Sequence, residues 1–113
     1  MLHNLAHLTK STELYNLAIT AYQNQQQVIT ERENPVSWAK AQEKIGNIYY
    51  LQGRKDLDIS LLEEALSCFH DALYIYENAH LANNIKQSKS DISKTRQILS
   101  EIKENEDTDT TEE

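Results

Sequence analysis

Apolar residues recur every three or four positions at Leu14, Leu17, Ala18, Ala21, Tyr22, Val28 and Ile29, with a polar gap from Gln23 to Gln27. That period predicts a first amphipathic helix over roughly residues 12–31. Asn34-Pro35 then joins a good N-cap to the residue type pre-set for the first helical position, and predicts a new start. The second helix, 35–52, has Trp38, Ala41, Ile45, Ile48, Tyr49 and Leu51 as its apolar face. Gly53 followed by Arg54-Lys55 reads as its stop, with basic charge at the negative end of the helix dipole. Gly53 to Ile59 is expected to be a connector, and Ser60-x-x-Glu63 has the spacing of a capping box. The third helix, 59–78, carries Leu62, Leu66, Phe69, Leu73 and Tyr76 on one flank and Leu61, Ala65, Cys68, Ala72 and Ile75 on the other. Two apolar flanks predict packing on two sides, so this is the expected central helix. A more polar helix over 80–103 follows, with Leu81, Ile85, Ile92, Ile98, Leu99 and Ile102 inward and its polar side toward water.

Composition supports an all-helical chain. Two Gly and one Pro in 113 residues leave little of the turn chemistry that sheets and phosphate-cradling loops require. The net charge is −7, but six acids stand among the last ten residues, so the remainder of the chain is near −1. Residues 104–113 contain no aliphatic or aromatic side chain, and such a segment cannot offset the entropy of ordering its backbone. The expected organisation is therefore a helical domain, 1–103, with a disordered acidic tail, 104–113. A nearly neutral body with an acidic tail attracts neither nucleic acid nor anionic lipid, so neither is expected as a partner. Cys68 stands alone, which excludes an intramolecular disulfide and suits a reducing compartment. No stretch has the length and apolar character of a signal peptide or a membrane span, and a cytoplasmic location is expected.

An internal repeat is also present. An offset of 47 residues sets Leu14 on Leu61, Ala18 on Ala65, Ile19 on Leu66 and Tyr22 on Phe69. The same offset relates the second and fourth helices more weakly, through Trp38 with Ile85 and Ile45 with Ile92, while Gly46 and Tyr49 fall opposite Ser93 and Arg96. Within this pattern, Ala65, Phe69 and Ala72 on one helix and Ile45, Gly46 and Tyr49 on another resemble the tetratricopeptide repeat. In that family such residues mark the second and first helices of a hairpin. The Trp of the family pattern would fall at Gln42, one turn after Trp38, and the connector before Ala65 is longer than a unit of about 34 residues allows. The chain is more similar to the longer variant repeats of bacterial multi-repeat proteins, through Pro35-Val36-Ser37-Trp38-Ala39 and Leu62-Glu63-Glu64-Ala65. The resemblance covers about residues 14–102.

It implies antiparallel helical hairpins stacked as a short α-solenoid of about four helices, with protein or peptide partners bound on the surface lined by the first helix of each pair. By position that surface comprises Lys40, Glu43, Asn47 and Tyr50, with Gln87, Ser90 and Lys94 on the degraded copy. Asn47 stands where peptide-clamping members carry Asn, but Glu43 replaces the basic residue one turn earlier, so a clamp on a C-terminal carboxylate is not implied. About two repeats are present where three usually bury a continuous core. An apolar flank on the first helix (Leu14, Leu17, Ala21, Val28) is therefore expected to meet a second copy or another protein. The alternative is a plain four-helix bundle that regulates an enzyme or self-associates as a scaffold, without a groove.

Little in the chain points to chemistry. His3 and His7 have a two-ligand spacing on a helix but no third ligand, so no metal or other cofactor is expected. His70 and Asp71 are sequence neighbours and would not face each other on a helix. Cys68 lies on an apolar stripe with no cation within a turn to activate it, and reads as packing. No nucleophile elbow, phosphate loop or catalytic carboxylate pair is present, and the chain is not expected to be an enzyme. Five cations against two acids on the fourth helix form a weakly basic surface, without the interleaved aromatics of a nucleic-acid site.

Overall fold

The computed structural model describes the backbone of residues 2–112 and the side chains of residues 12–105. Among the described residues there are four helices and no strand: α1 (Leu2–Val28), α2 (Pro35–Asp56), α3 (Ile59–Asn78) and α4 (Ala82–Glu112). The all-helical expectation holds, and α3 has the limits its periodicity predicted. α1 starts earlier than expected and ends at Val28, because residues 29–34 form a turn in which Asn34 N–H donates to Thr30 O at 3.0 Å. At the other end, the α4 backbone continues as helix into the segment expected to be a disordered tail. The side chains of that tail from residue 106 on lie outside the described residues.

Asn34 caps α2 as predicted, its Oδ1 accepting from Ser37 N–H at 3.1 Å with Pro35 opening the helix. Gly53 does not stop it. The helix runs to Asp56 and ends at Leu57, a leucine in the left-handed conformation (φ 52°, ψ 43°). The N–H groups of Leu57 and Asp58 both donate to Gly53 O. Ser60-Glu63 is not the capping box either. Asp58 is the N-cap of α3, accepting from Leu61 N–H at 3.2 Å, so only two residues separate α2 from α3. α3 closes on His80, again left-handed (φ 58°), with Leu81 N–H reaching back to Tyr76 O at 3.1 Å and the Leu81 side chain packed beside Tyr76. This is the backbone pattern that usually selects glycine.

The two glycines are used instead for close approach between α2 and α3. A Cβ on Gly46 would lie 2.8 Å from Phe69 Cε1 and 3.1 Å from Cys68 Cβ. One on Gly53 would lie 2.8 Å from Leu62 Cγ. Ala39, seven residues before Gly46, is fully buried in a cluster with Ala72, Ile75 and Tyr76. Ala39, Gly46 and Gly53 thus form a stripe of small residues along which antiparallel α3 lies.

The flanks of α3 then divide the packing. Leu62, with Leu66 beside it, meets Leu99 and Ile102 of α4, and Ala65 and Phe69 meet Ile92. On the other side Cys68 joins Ile45 of α2 and Ile19 of α1. Cα atoms come within 8 Å between successive helices and, over a short stretch, between α2 and α4. Among the described residues, α1 approaches neither α3 nor α4 that closely. A closed bundle would set α1 against α4; here they lie on opposite sides of α2, in a flattened body of 52 × 32 × 18 Å.

Two stability outcomes follow from this packing. Gly46→Ala gains about 1 kcal/mol of helix propensity but forces Phe69 off its seat, and overpacking of this kind costs about 1–3 kcal/mol. Urea unfolding should therefore show net destabilisation, whereas Ser93→Ala, at the equivalent but exposed position of α4, should be neutral or slightly stabilising. Leu57→Gly should stabilise by about 1 kcal/mol, because Leu57 is exposed and its main energetic feature is the left-handed backbone. An unchanged or lower unfolding midpoint for Leu57→Gly would contradict this account of the helix end.

Candidate functional site

The outward face of α2 is set by what its other faces touch. Ala39, Gly46 and Gly53 look to α3, while Ile45 meets α1 and Tyr50 leans toward α4. Helical period then leaves Lys40, Lys44, Asn47, Leu51 and Arg54 on the uncovered side, and all five are exposed. α4 runs alongside α2 in the same direction and presents Gln87, Ser90 and Lys94 next to this face, also exposed.

The residues of the expected binding surface are not equivalent. Tyr50 and Lys94 come together, with the Lys94 ammonium 5.8 Å from the Tyr50 ring centre. Arg54 stands 5.5 Å from the same ring, so one half-buried aromatic serves two cations. Glu43 is turned toward α3: its carboxylate accepts the Tyr76 hydroxyl at 2.7 Å and braces α2 against α3. Asn47 is exposed between these groups. Lys40 lies toward α1, bordering a cavity of about 130 Å³ with Gln25, Ser37, Ala41 and Lys44.

Residues to which the sequence assigns no role at this face complete the picture. Asp91 is 5 % exposed, its Oδ1 accepting from Gln87 at 3.0 Å and lying 3.6 Å from Lys94 Nζ. Its Oδ2 and the hydroxyl of Ser88 are buried without a hydrogen-bond partner among the described residues. Thr95, also buried, donates to Asp91 O at 2.7 Å. Asn84, Ser88, Asp91 and Thr95 form a small polar stripe on α4 at intervals of three or four, which a search for apolar periodicity does not register. Arg54, read as helix-end charge, is the second cation at Tyr50. Gln42 links three helices: it accepts from Gln26 Nε2 at 2.8 Å and donates to Asp71 Oδ2 at 3.1 Å.

The remaining candidates for chemistry fall as follows. Cys68 is buried, and burial, followed by the nearby charges of Asp71 and Glu64, pushes its thiol up to about 12. Burial also raises the Tyr76 hydroxyl, reinforced by its hydrogen bond to Glu43. Tyr49 shifts in the same direction, through burial first and then Cys68 and Glu64. His70 Nε2 lies 3.4 Å from Arg96 on the surface. His3 and His7 lie outside the described side chains. Among the described residues no group of three or more His, Cys, Asp or Glu is placed to hold a metal ion, and no helix is long and apolar enough to cross a membrane. A cavity of about 530 Å³ lies between the α1–α2 turn and the end of α3, lined by Arg32, Pro35, Tyr74 and Ile75 among others.

Compared with models of protein families, with curated proteins and with solved structures, the chain matches none.

The raised thiol and phenols give a pH dependence whose sign is definite. Each group binds its proton more tightly in the folded than in the unfolded chain, so its contribution is complete below the unfolded value and is lost as pH rises toward the folded one. For Cys68 the window lies between 9.0 and about 12. Stability from urea titrations should be flat around neutrality and fall above about pH 9, and Tyr76→Phe should reduce the steepness of that fall. A stability curve that rises with pH in this range would overturn the assignment.

Proposed function

We propose that the chain is a non-catalytic protein-interaction module, similar to a short tetratricopeptide-type array, and that the face shared by α2 and α4 binds an acidic peptide or an acidic segment of a protein. The supporting observation is the open arrangement: α1 and α4 lie on opposite sides of α2 and leave its outward face uncovered. Lys40, Lys44, Arg54 and Lys94 project from or beside that face. Glu43 and Asp91 keep their charge while bonded to the Tyr76 hydroxyl and to Gln87 and Lys94, so four cations stand against two carboxylates there. The field offered to a ligand is thus positive on a chain of net charge −7. Tyr50 adds an aromatic surface against which an apolar side chain of the ligand packs while its carboxylates meet Arg54 and Lys94. Asn47 supplies a donor and an acceptor for the peptide backbone. A cytoplasmic adaptor or scaffold role fits this chemistry, and the Ile45-Gly46-Tyr49 and Ala65-Phe69-Ala72 patterns support the family comparison.

Fluorescence anisotropy with labelled peptides that alternate Glu with aliphatic and aromatic residues tests the reading. Binding should weaken as salt rises. The double substitution Arg54→Gln and Lys94→Gln should lower affinity at least about tenfold, the equivalent of 1.4 kcal/mol. Leu17→Ser, on the far side of α1, should leave it unchanged. If acidic and basic peptide sets bind alike, or the double variant binds as the parent does, the α2–α4 face is not the site.

A further inference from the structure

The repeat offset that equates α1 with α3 also shows what α1 lacks. α3 packs on a helix before it and a helix after it, whereas among the described residues α1 lies against α2, with Ile19 alone reaching the cluster that includes Cys68. Leu61, Cys68 and Ile75, on the α3 flank that faces its preceding helix, correspond to Leu14, Ala21 and Val28 on α1. Cys68 and Ile75 are buried and Leu61 half-buried, but Leu14, Ala21 and Val28 are exposed. With Leu17 and Asn24 they form an unbroken series, 14, 17, 21, 24, 28, at alternating intervals of three and four. That is the spacing of a coiled-coil seam. Leu14 is 60 % exposed, Leu17 67 % and Val28 77 %, whereas scattered single hydrophobics would carry no such register.

The opposite end of the array is closed to this flank. Shifted by the same offset, the α2 residues that face α3 (Ala39, Gln42, Gly46, Tyr49, Gly53) become Lys86, Lys89, Ser93, Arg96 and Ser100 on α4, all exposed. An apolar seam gains nothing against three cations and two serines, so copies cannot stack head to tail. The flank itself is suited to its own image. Between residues 13 and 28 the only charged side chain is Glu13, so two such flanks meet without repulsion despite the net charge of the chain. Ala21 is the middle position of the seam, and a two-fold axis through it sets Ala21 against Ala21 whichever way the two helices run.

We propose that α1 pairs with α1 of a second copy through Leu14, Leu17, Ala21, Asn24 and Val28, giving a closed two-fold dimer with the α2–α4 faces left free. The pairing does not depend on the peptide-binding reading of those faces. The seam offers on the order of 400 Å² per copy, about 800 Å² in total, which is below the roughly 1,200 Å² of stable complexes. The dimer is accordingly expected to be weak and in exchange with the monomer.

Sedimentation equilibrium of the full chain should show a mass that rises with concentration from 13.1 kDa toward twice that value. Ala21→Glu and Ala21→Lys, both good helix formers at an exposed position, should each remain monomeric, and mixing the two should restore the dimer at least as tightly as in the parent. The restored pairing also demonstrates that both variants fold. A parent mass that stays monomeric up to about 1 mM would overturn the proposal. So would a dimer that neither substitution disturbs, or a mixture in which the opposite charges fail to pair.

Discussion

The distance between α2 and α3 governs the rest of the structure. Gly46 and Gly53 leave no room for a Cβ, and Ala39 extends the same stripe, so the two helices meet along backbone instead of along long side chains. Close approach draws Phe69, Cys68 and Leu62 against α2, which turns the other flank of α3, Leu66 and Leu73, outward as the seat for α4. The helix ends are subordinate to this contact. α2 cannot end at Gly53, because that residue is needed inside the interface, and the left-handed turn falls to Leu57. An energetic cost at the exposed end is accepted in exchange for contact along the whole hairpin.

The same contact explains why the array is open. α3 is covered on both flanks, while α2 is covered by α1 and α3 and only lightly by α4. The α2–α4 junction is thin, and the buried Ser88, Asp91 and Thr95 keep α4 narrow where the helices run side by side. Small polar side chains permit approach as small apolar ones do, but they bind water-like partners and contribute little by burial. α4 is therefore held chiefly by α3, through Leu99, Ile102 and Ile92.

Helix number, the Asn34-Pro35 start, both flanks of α3 and the role of Gly46 were legible in the sequence, because each is a local pattern repeated at helical spacing. Gly53 was not. A glycine beside two basic residues is a good stop by local chemistry, and only the position of Leu62 in space makes it an interface residue instead. Asp58 displaced Ser60 as the cap for a related reason: with α2 prolonged to Asp56, two residues remain to turn the chain, and Asp58 is the one placed to accept from Leu61. At the candidate site, Lys94 lies over the Tyr50 ring and Glu43 accepts the Tyr76 hydroxyl, contacts between helices that no local pattern announces. Asp91 counted only toward the surface charge of the fourth helix, because a single acid on a polar helix looks like solvated surface until its burial is known.

Burial of Asp91 bears on how the uncovered face keeps its charge. A carboxylate lying 3.6 Å from Lys94, and accepting from Gln87 one turn earlier, holds the lysine near Tyr50 and partly neutralises it. Arg54 has no such acid in its described contacts and approaches the ring from the α2 side. The two cations at Tyr50 therefore differ in kind: Lys94 is positioned by α4, and Arg54 moves with α2. Since α3 sets the separation of α2 and α4, the geometry of this cation–ring–cation cluster is fixed from behind by the Gly46–Phe69 contact. A change in the buried hairpin spacing would be transmitted to the exposed face through that one helix.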